Sequence, residues 1–275
     1  MANVLIIGCG DTGGRLAVLL AQAGHAVTGV RRSAHALPGV TMVQADITRP
    51  FRLEIAPPDY VFILLSPGES SREAYERCFL GGLENLKASL GGAAPRRVFF
   101  VSSTSVYGES AGEWVDEATP PRPAGFNGEV LLQAEALAAA LWPAVTVVRF
   151  AGIYGEGRLR LLRWVQAGRP VDPALWSNRI HAQDAARLLA FLLERDGAGQ
   201  ALDDLYLGVD NRPVLQADVL DWLAERQGLP PLPRHPSGDG GQGRRISNRR
   251  IRALGFAPQY PDYRDGYAPL AAAGA

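Results

Sequence analysis

Three glycines near the start of the chain have the spacing of a phosphate-binding turn. Gly8, Gly10 and Gly13 form a GxGxxG pattern that follows an apolar run and opens a segment with helical periodicity. In such a turn the first glycine allows a tight bend, the second lets a pyrophosphate approach the backbone, and the third allows close helix–strand packing. Amides at a helix start attract the negative charge. The pattern predicts dinucleotide binding by residues Gly8, Gly10, Asp11, Thr12 and Gly13, the alternative being a glycine-rich turn without a ligand.

The end of the second predicted strand indicates which dinucleotide fits. An acidic residue that binds the adenosine ribose is usual at this point in NAD-binding units, but this chain has Arg31, Arg32 and Ser33 there. Guanidinium groups donate paired hydrogen bonds that suit a phosphate. The sequence therefore predicts NADP as the cofactor, with NAD as the alternative and a solvated basic turn as the interpretation without a ligand.

Residues that follow two other predicted strands are further candidate cofactor contacts. Asp46 follows the third strand, where its carboxylate would lie near the adenine amino group or belong to a surface turn. Leu65 and Ser66, at the end of the fourth apolar run, complete the predicted cofactor contacts.

The elements that position these residues follow from alternating apolar runs and helical periods. Apolar runs without polar alternation are typical of parallel strands covered on both faces, and they occur at 4–7, 26–30, 40–43, 60–65, 97–103 and 145–150, with a further candidate at 205–209. Helices are predicted at 15–23, 71–90, 128–141 and 184–194. This order predicts an α/β fold, a doubly wound parallel sheet of the Rossmann type, with a smaller C-terminal substrate lobe.

Two parts of the chain are predicted from this order. Residues 1–152 are assigned to the dinucleotide-binding core, to which 180–208 return, and 153–275 mostly to the substrate lobe. Residues 154–168 are predicted to form a loop and a helix. The proline- and glycine-rich residues 228–243 are predicted to form a mobile loop or lid, and the alanine-rich end after Leu270 a frayed tail.

Composition excludes several classes of protein. With 47% hydrophobic and 20% charged residues, the chain is predicted to fold around a core. The 28 basic and 28 acidic side chains cancel, so neither nucleic acid nor an anionic membrane surface is an expected partner. Cys9 and Cys78 lie far apart, which predicts no disulfide framework and no metal site. The same use of cysteine favours a reducing, cytoplasmic location. The first apolar run is too short for a signal peptide or a membrane span and is predicted to be a strand.

The sequence VSSTSVYG at residues 101–108 resembles the extended short-chain dehydrogenase/reductases, also called the NAD-dependent epimerase/dehydratase family. The glycine turn, NRIHAQD at 178–184, and residues 245–248 and 254–256 carry the same resemblance, which covers nearly the whole chain. It implies oxidoreduction, or nicotinamide-assisted epimerisation or dehydration, of a small polar or sugar-like substrate. It also implies a homodimer formed through helices 71–90 and 128–141.

The catalytic pair of this family is missing from the chain. Members typically use a serine or threonine and a YxxxK pair, in which the lysine lowers the pKa of the tyrosine. The resemblance assigns Ser103 to the serine position, Asn127 to the tyrosine position and Leu131 to the lysine position. The chain has a single lysine, Lys87, and Leu83 stands four residues before it, so no YxxxK sequence exists.

Three hypotheses for the chemistry remain open. In the first, another acid takes the role of the tyrosine. The candidates for that acid are Tyr107, Tyr154, His181 and Glu129. In the second, the protein binds NADP and senses its redox state or a metabolite without catalysis. In the third, a carbonyl is reduced with the help of hydrogen bonds from Ser103 and Asn127 alone.

Candidate residues for catalysis and for the substrate have structural alternatives. Ser103, Tyr107 and Asn127 are the predicted catalytic residues, although an aromatic residue at a strand end, such as Tyr107, more often packs against the wall of the cofactor pocket. The predicted substrate contacts are Tyr154, Arg179 and Arg245. Arginines that face a substrate imply an anionic ligand, whereas solvated surface arginines imply none. His181 is predicted to be a structural hydrogen-bonding group, and Asp184 to stabilise the first turn of the following helix.

Overall fold

A computed structural model describes residues 1–33, 35–235 and 242–273. In these ranges the chain forms a central sheet of seven strands and three two-stranded sheets. The strands, in chain order, are β1 (Asn3–Ile7), β2 (Ala26–Arg31), β3 (Val40–Gln44), β4 (Tyr60–Ile63), β5 (Arg97–Ser103), β6 (Ala111–Val115), β7 (Val145–Phe150), β8 (Gly152–Tyr154), β9 (Trp176–Ser177), β10 (Arg179–His181), β11 (Leu205–Gly208), β12 (Val214–Leu215) and β13 (Gly243–Ile246). The central order is β11-β7-β5-β4-β1-β2-β3. This parallel sheet confirms the predicted α/β fold class.

The sheet grows in opposite directions from β1. β1 pairs in parallel with β2 on one side and with β4 on the other. Its residues Leu5 and Ile6 are fully buried, as expected for a strand covered on both faces. The amide of Leu64, directly after β4, donates to the carbonyl of Ile7 at 2.8 Å. In such sheets ligands bind beyond the carboxyl ends of the strands at this reversal, where the glycine turn follows β1.

The helices begin earlier or break more often than the periodicity predicts. They are α1 (Asp11–Gln22), α2 (Arg72–Glu76), α3 (Gly82–Ser89), α4 (Phe126–Leu141), α5 (Arg160–Gln166), α6 (Ala182–Gly197), α7 (Gln216–Arg226), α8 (Arg249–Ala253) and α9 (Tyr263–Ala273). α1 begins at Asp11, inside the glycine turn, whereas the helix was predicted to begin at residue 15. The leucine periodicity missed residues 11–14 because they contain no leucine. A π-helical turn, Arg77–Gly81, divides the helix predicted at 71–90. The Ser71 hydroxyl caps α2 by accepting from the amide of Ala74 at 3.2 Å.

The chain divides into two compact units. The first comprises Met1–Tyr107, Pro123–Arg149 and Ala186–Tyr206, and the second comprises Gly108–Arg122, Phe150–Ala185 and Leu207–Ala275. Residues 108–122 were predicted to belong to the dinucleotide-binding core, whereas they lie in the second unit because β6 pairs with β13. The first unit therefore contains the glycine turn, and the second contains most of the C-terminal third.

The second unit has its own hydrophobic core, built mainly from α5, α7 and α9. Leu161, Leu220, Leu223 and Tyr263 are among its buried members. Helices α7, α8 and α9 were not predicted from the sequence. The expectation of a frayed tail after Leu270 is wrong up to residue 273, because α9 continues to Ala273 and Ala271 is buried against this core.

The proline-rich loop is only partly covered by the described residues. Residues 236–241, which the prediction of a mobile loop or lid includes, lie outside them. In the preceding part, Val171 donates its amide to Pro233 and accepts from the amide of His235, each at 2.9 Å, and Leu232 is buried. This part of the loop is therefore packed rather than free.

Within the described residues, no helix combines the length and the apolar composition that crossing a membrane requires.

Candidate functional site

The backbone of the glycine turn is fixed between the ends of β1, β2 and β4. The amides of Gly8 and Cys9 both donate to the carbonyl of Val30 at the end of β2, at 3.0 and 2.9 Å. Gly8 has φ +86°, and a Cβ built on it would overlap the carbonyl oxygen of Leu64. Only glycine combines this φ with so close a backbone neighbour. Gly8 is therefore required by the fold of the turn itself.

Gly13 and Gly10 differ in what demands the missing side chain. A Cβ at Gly13 would lie 2.5 Å from the carbonyl oxygen of Gly8, so helix α1 needs a glycine here to pack against the turn. A Cβ at Gly10 would meet only that same oxygen, at 4.0 Å. Because the chain itself leaves this exposed position open, the space over Gly10 is available to an external group.

The residues that directly follow Gly10 offer polar groups that suit an anion. α1 begins at Asp11, and the first amides of a helix have no partner within it, so they favour an anion. The hydroxyl of Thr12 is buried and has no hydrogen-bond partner among the described residues. Asp11 is exposed and pairs with Arg15 at 2.9 Å. An orphaned hydroxyl, the start of a helix and an open glycine fit the pyrophosphate of a dinucleotide.

Cys9, inside the turn, is a packing residue. Its sulfur lies 2.7 Å from where a Cβ of Gly29 would be, which explains the glycine in β2. Burial raises the pKa of the Cys9 thiol to about 11. Because the thiolate is the nucleophilic form, Cys9 does not act as a nucleophile at neutral pH. Among the described residues both cysteines, Cys9 and Cys78, are free thiols.

The predicted phosphate-binding arginines lie at the carboxyl end of the strand that holds the glycine turn. Arg31 ends β2 one residue after Val30, and Arg32 and Ser33 are exposed. The carbonyl of Arg32 accepts from the side-chain amide of Gln44 at 3.0 Å, which fixes its backbone. In the described ranges no carboxylate forms an ion pair with either guanidinium. Both arginines therefore have donors available beside the turn.

Asp46 belongs to a turn at the end of β3. One carboxylate oxygen accepts from both the amide and the hydroxyl of Thr48, at 3.0 and 2.8 Å, and these hydrogen bonds lower the pKa of Asp46. This geometry fits the surface-turn alternative. Leu65, half-buried, and Ser66, exposed, follow the end of β4.

Ser103 and Asn127 belong to neighbouring segments at the end of β5. The Ser103 hydroxyl accepts from the amide of Ser105 at 3.1 Å and precedes a 3₁₀ turn, Thr104–Val106. A Cβ at Gly128, in the first turn of α4, would overlap the Ser105 carbonyl, so the start of α4 lies directly against this turn. Ser103 and Asn127 are both half-buried. Both remain available as hydrogen-bonding groups at the carboxyl edge of the sheet.

The other residues predicted for catalysis in the first unit have structural partners. Tyr107 is 1% exposed, and its hydroxyl accepts from Nη1 of Arg149 at 2.8 Å. Glu129 forms an exposed ion pair with Arg72 at 2.5 Å. Leu131, at the lysine position, is 4% exposed. The position of Tyr107 supports the packing alternative for this residue.

A buried ion pair between Arg149 and Glu135, next to Ser102, was not predicted from the sequence. Arg149 on β7 donates from Nε and Nη2 to the two carboxylate oxygens of Glu135 on α4, at 3.0 and 2.6 Å. Glu135 also accepts from the hydroxyl of Ser102 at 2.5 Å. Burial opposes the charge of Arg149, but the hydrogen bonds and charge of Glu135 outweigh it and raise the pKa of the guanidinium. The available signal was Arg149, a charged residue inside the buried strand VTVVRF.

In the second unit, two predicted substrate residues are held by their own surroundings. Arg179 is 4% exposed, so it is not a surface arginine, and its Nη2 donates to the Ser177 hydroxyl at 2.6 Å. The guanidinium of Arg245 lies between the rings of Trp114 and Trp176, 5.1 and 5.0 Å from their centroids, and its Nε donates to the carbonyl of Gly112 at 2.7 Å.

Tyr154 belongs to a buried cluster that was not predicted. Its ring stacks on Tyr267 at 4.3 Å, and burial raises the pKa of its hydroxyl. Burial also raises the pKa of Asp210 to about 7, against the charge of nearby Arg179. Tyr154 Oη, Arg179 Nη1 and Asp210 Oδ2 are buried without hydrogen-bond partners among the described residues. This cluster can hold a proton on Asp210 near neutral pH.

His181 and Asp184 have roles in the packing of the second unit. His181 is buried, its Nδ1 accepts from the amide of Gln183 at 3.2 Å, and its ring lies 4.0 Å from that of Tyr260. Asp184 accepts from the amides of Gln259 and Tyr260, at 2.7 and 2.8 Å. The prediction for Asp184 named only the first turn of α6, whereas its carboxylate holds a distant loop. In the described ranges, no group of three or more His, Cys, Asp or Glu side chains could hold a metal ion.

Comparison with known proteins agrees with this arrangement. A model of the NAD dependent epimerase/dehydratase family matches residues 4–208. The chain belongs to this family. The resemblance drawn from the VSSTSVYG segment and the glycine turn is confirmed.

Relatives in this family match almost the whole chain. YeeZ of Escherichia coli strain K12 is 29% identical over 278 residues, which covers 95% of this chain and 97% of YeeZ. A structure from Methylobacillus flagellatus, described as an NAD-dependent epimerase/dehydratase, is 39% identical with a TM-score of 0.82 and covers 99% of this chain and 98% of its own. MoeE5, solved in complex with UDP-glucose and NAD, is 26% identical with a TM-score of 0.80 and covers 98% and 97%.

Proposed function

We propose that this epimerase/dehydratase-family protein binds NADP(H) at the glycine turn and uses it to oxidise or reduce a small polar, sugar-like substrate. The observation that carries the proposal is the open position over Gly10, beside the start of helix α1, the orphaned hydroxyl of Thr12 and two arginines that form no ion pair with a carboxylate in the described ranges. A glycine that the fold does not require sterically is explained by a ligand that needs the space.

Two groups of residues would bind different parts of the dinucleotide. The first amides of α1 and the orphaned hydroxyl of Thr12 would hold the pyrophosphate over Gly10. Arg31, Arg32 and Ser33 would bind the 2′-phosphate, which distinguishes NADP from NAD. MoeE5 is solved with NAD. The proposed preference for NADP therefore depends on the residues that follow β2 in this chain.

The proposed chemistry uses hydrogen bonds in place of a tyrosine–lysine pair. When bound, the nicotinamide supplies or accepts the hydride. In the direction of reduction, the hydroxyl of Ser103 and the side-chain amide of Asn127 would donate hydrogen bonds to the substrate carbonyl oxygen, which stabilises the negative charge that develops there. The oxygen then takes a proton from water, so the products are an alcohol and the oxidised cofactor.

The substrate class is supported by a relative and by the sequence. MoeE5 binds UDP-glucose, a nucleotide sugar. An anionic, sugar-like substrate agrees with the arginine-rich second part of this chain, in which Arg245 remains half-buried between two tryptophans.

A second candidate function is a non-catalytic NADP(H) sensor. The observation that favours it is the buried, apolar Leu131 at the lysine position, because no ammonium group there can activate a proton donor. In this case the glycine turn would bind the cofactor without turnover.

Nucleotide titration tests the proposed function. NADPH and NADH are titrated by fluorescence into the wild type and the Arg31→Ala/Arg32→Ala variant. We expect tight NADPH binding that the variant weakens about 10–100-fold, since the net loss of one hydrogen bond to a charged group costs about 1.5–3 kcal/mol. NADH affinity should change little. The matched control is Arg49→Ala/Arg52→Ala, which removes the same charge from an exposed stretch after β3. Equal losses in both variants, or no binding of either nucleotide below millimolar concentration, would contradict the proposal.

Turnover then separates the two candidate functions. NADPH oxidation is measured with a panel of aldehydes, diketones and oxidised nucleotide sugars. Slower turnover in Ser103→Ala and Asn127→Ala, with unchanged NADPH affinity, supports the oxidoreductase. Tight NADPH binding without turnover of any of these compounds supports the sensor.

A further inference from the structure

The Arg149–Glu135 ion pair is deeply buried in the first unit. Arg149 is 5% exposed and Glu135 is 9% exposed. Replacing such a pair by apolar residues is often neutral or stabilising, so a buried pair is weak evidence of a contribution to stability. A role in fixing one local conformation is the better explanation of its cost.

The partners of the pair show which conformation it fixes. Glu135 accepts from Ser102, and Arg149 donates to Tyr107. These two residues are the ends of the six-residue stretch 102–107, which we call the serine segment because it carries Ser103. Inside it, the amide of Tyr107 donates to the carbonyl of Thr104 at 3.2 Å, and the amide of Ser105 donates to the Ser103 hydroxyl. The ion pair therefore contacts both ends of a tight turn.

On helix α4, an apolar residue and a carboxylate lie on the same face. Leu131 and Glu135 are four residues apart on α4 and share one face of the helix. At the first position the chain has an apolar residue in place of a lysine. At the second, the carboxylate contacts the serine segment through Ser102. Glu135 therefore provides a polar connection from α4 to Ser102, the residue before Ser103.

We propose that the Arg149–Glu135 pair positions Ser103 by holding both ends of the serine segment, with Ser102 and Tyr107 as its contacts. Tyr107 is a positioning residue and not a catalytic one, because its hydroxyl is buried against Arg149. A network in which buried members satisfy each other holds one geometry rigidly. This inference rests on the proposed function for the catalytic consequence, but the conformational role can be measured by itself.

Two substitutions interrupt the contacts without removing either charge. Tyr107→Phe deletes the acceptor of Arg149, and Ser102→Ala deletes the donor to Glu135. The matched control is Tyr60→Phe. Tyr60 is also buried, and its hydroxyl donates to Asp196 at 2.9 Å, where Asp196 pairs with Arg97 at 2.7 Å. Tyr60 begins β4, at the end of the strand remote from the glycine turn.

Hydrogen exchange and kinetics give independent measurements. Amide hydrogen exchange is measured by mass spectrometry. In Tyr107→Phe and Ser102→Ala, we expect the amide at residue 105 and the amide at residue 107 to exchange at least tenfold faster than in the wild type. The exchange rates of the glycine turn should not change. With NADPH and the best carbonyl compound of the panel, we expect kcat to fall at least tenfold while KM for NADPH stays within twofold. Tyr60→Phe should change neither the exchange of the segment nor kcat.

The outcomes distinguish this inference from the proposed function. Unchanged exchange in both variants would overturn the inference, as would loss of kcat in Tyr60→Phe equal to that in Tyr107→Phe. Faster exchange with unchanged kcat would show that the pair orders the segment but does not position Ser103 for turnover, and would also overturn it. A wild type that binds no NADPH would overturn the proposed function, and exchange alone would then decide whether the pair holds the segment.

Discussion

The glycine turn and the first turns of α4 lie beside the carboxyl ends of strands in the same unit, yet they compare differently with the family pattern. The turn has glycine at all three positions, and two of them, Gly8 and Gly13, are enforced by contacts with backbone atoms. At the start of α4, Asn127 and Leu131 stand where the resemblance places a tyrosine and a lysine. The binding of a dinucleotide depends on backbone geometry, whereas proton transfer depends on side chains, so the second can change while the first is kept.

The largest effect is expected from breaking the glycine turn. Gly8→Ala introduces a Cβ that overlaps the carbonyl oxygen of Leu64 at a φ of +86°. The left-handed backbone alone costs an alanine about 1–2 kcal/mol, and relieving the overlap requires moving β1 relative to β4. We expect a total loss of about 4 kcal/mol in the free energy of unfolding, measured by urea denaturation.

Gly24→Ala is the control for this variant. Gly24 has nearly the same φ, +88°, but no atom lies within 4 Å of where its Cβ would be. The loss there should be the conformational cost alone, about 1–2 kcal/mol. If both variants lose the same stability, the contact with Leu64 does not fix the turn.

A middle effect is expected from the lysine position. Leu131→Ala removes a buried side chain from α4, which should cost about 2–4 kcal/mol of stability. The affinity for NADPH should stay within twofold, because Leu131 packs in the protein core and is not expected to contact the cofactor. Leu132→Ala, on the same helix but half-buried, should cost only about 1 kcal/mol. Tenfold weaker NADPH binding in Leu131→Ala with little loss of stability would instead place this side chain against the cofactor.

The sequence and the structure agree best where the information is local. The strands at 97–103 and 145–150 have the predicted bounds, because continuous apolar runs between breaks define both ends. The glycine pattern also predicts its own geometry, since the bend and the helix start lie within a few residues of each other. Whether the turn binds NADP stays a prediction.

The sequence alone fails where partners are distant along the chain. β6 and β13 were not predicted, because each is a short strand whose partner lies more than a hundred residues away. The ion pair of Glu135 and Arg149 was not predicted either. Their pairing depends on how α4 packs on β7, and no periodicity in the sequence records that contact. The candidate site was therefore predictable at the glycine turn and not behind Ser103.

The smallest effect on stability, with a distinct effect on binding, is expected at Gly10. Gly10→Ala adds a Cβ with 4.0 Å to its nearest neighbour, so the fold should lose only about 1 kcal/mol, the cost of alanine at the residue before a helix. If the open space holds the pyrophosphate, the methyl group must weaken NADPH binding at least tenfold, or about 1.4 kcal/mol. Calorimetric titration of NADPH measures this.

Gly14→Ala is the matched control. Gly14 lies inside helix α1, and a Cβ there would make an ordinary contact of 3.5 Å with the side chain of Leu37. It should leave NADPH affinity unchanged and preserve stability, since alanine has a higher helix propensity than glycine. NADPH binding that survives Gly10→Ala would mean that the open glycine is not a ligand contact. The difference between the glycine turn and α4 would then no longer separate a retained binding site from an altered catalytic one.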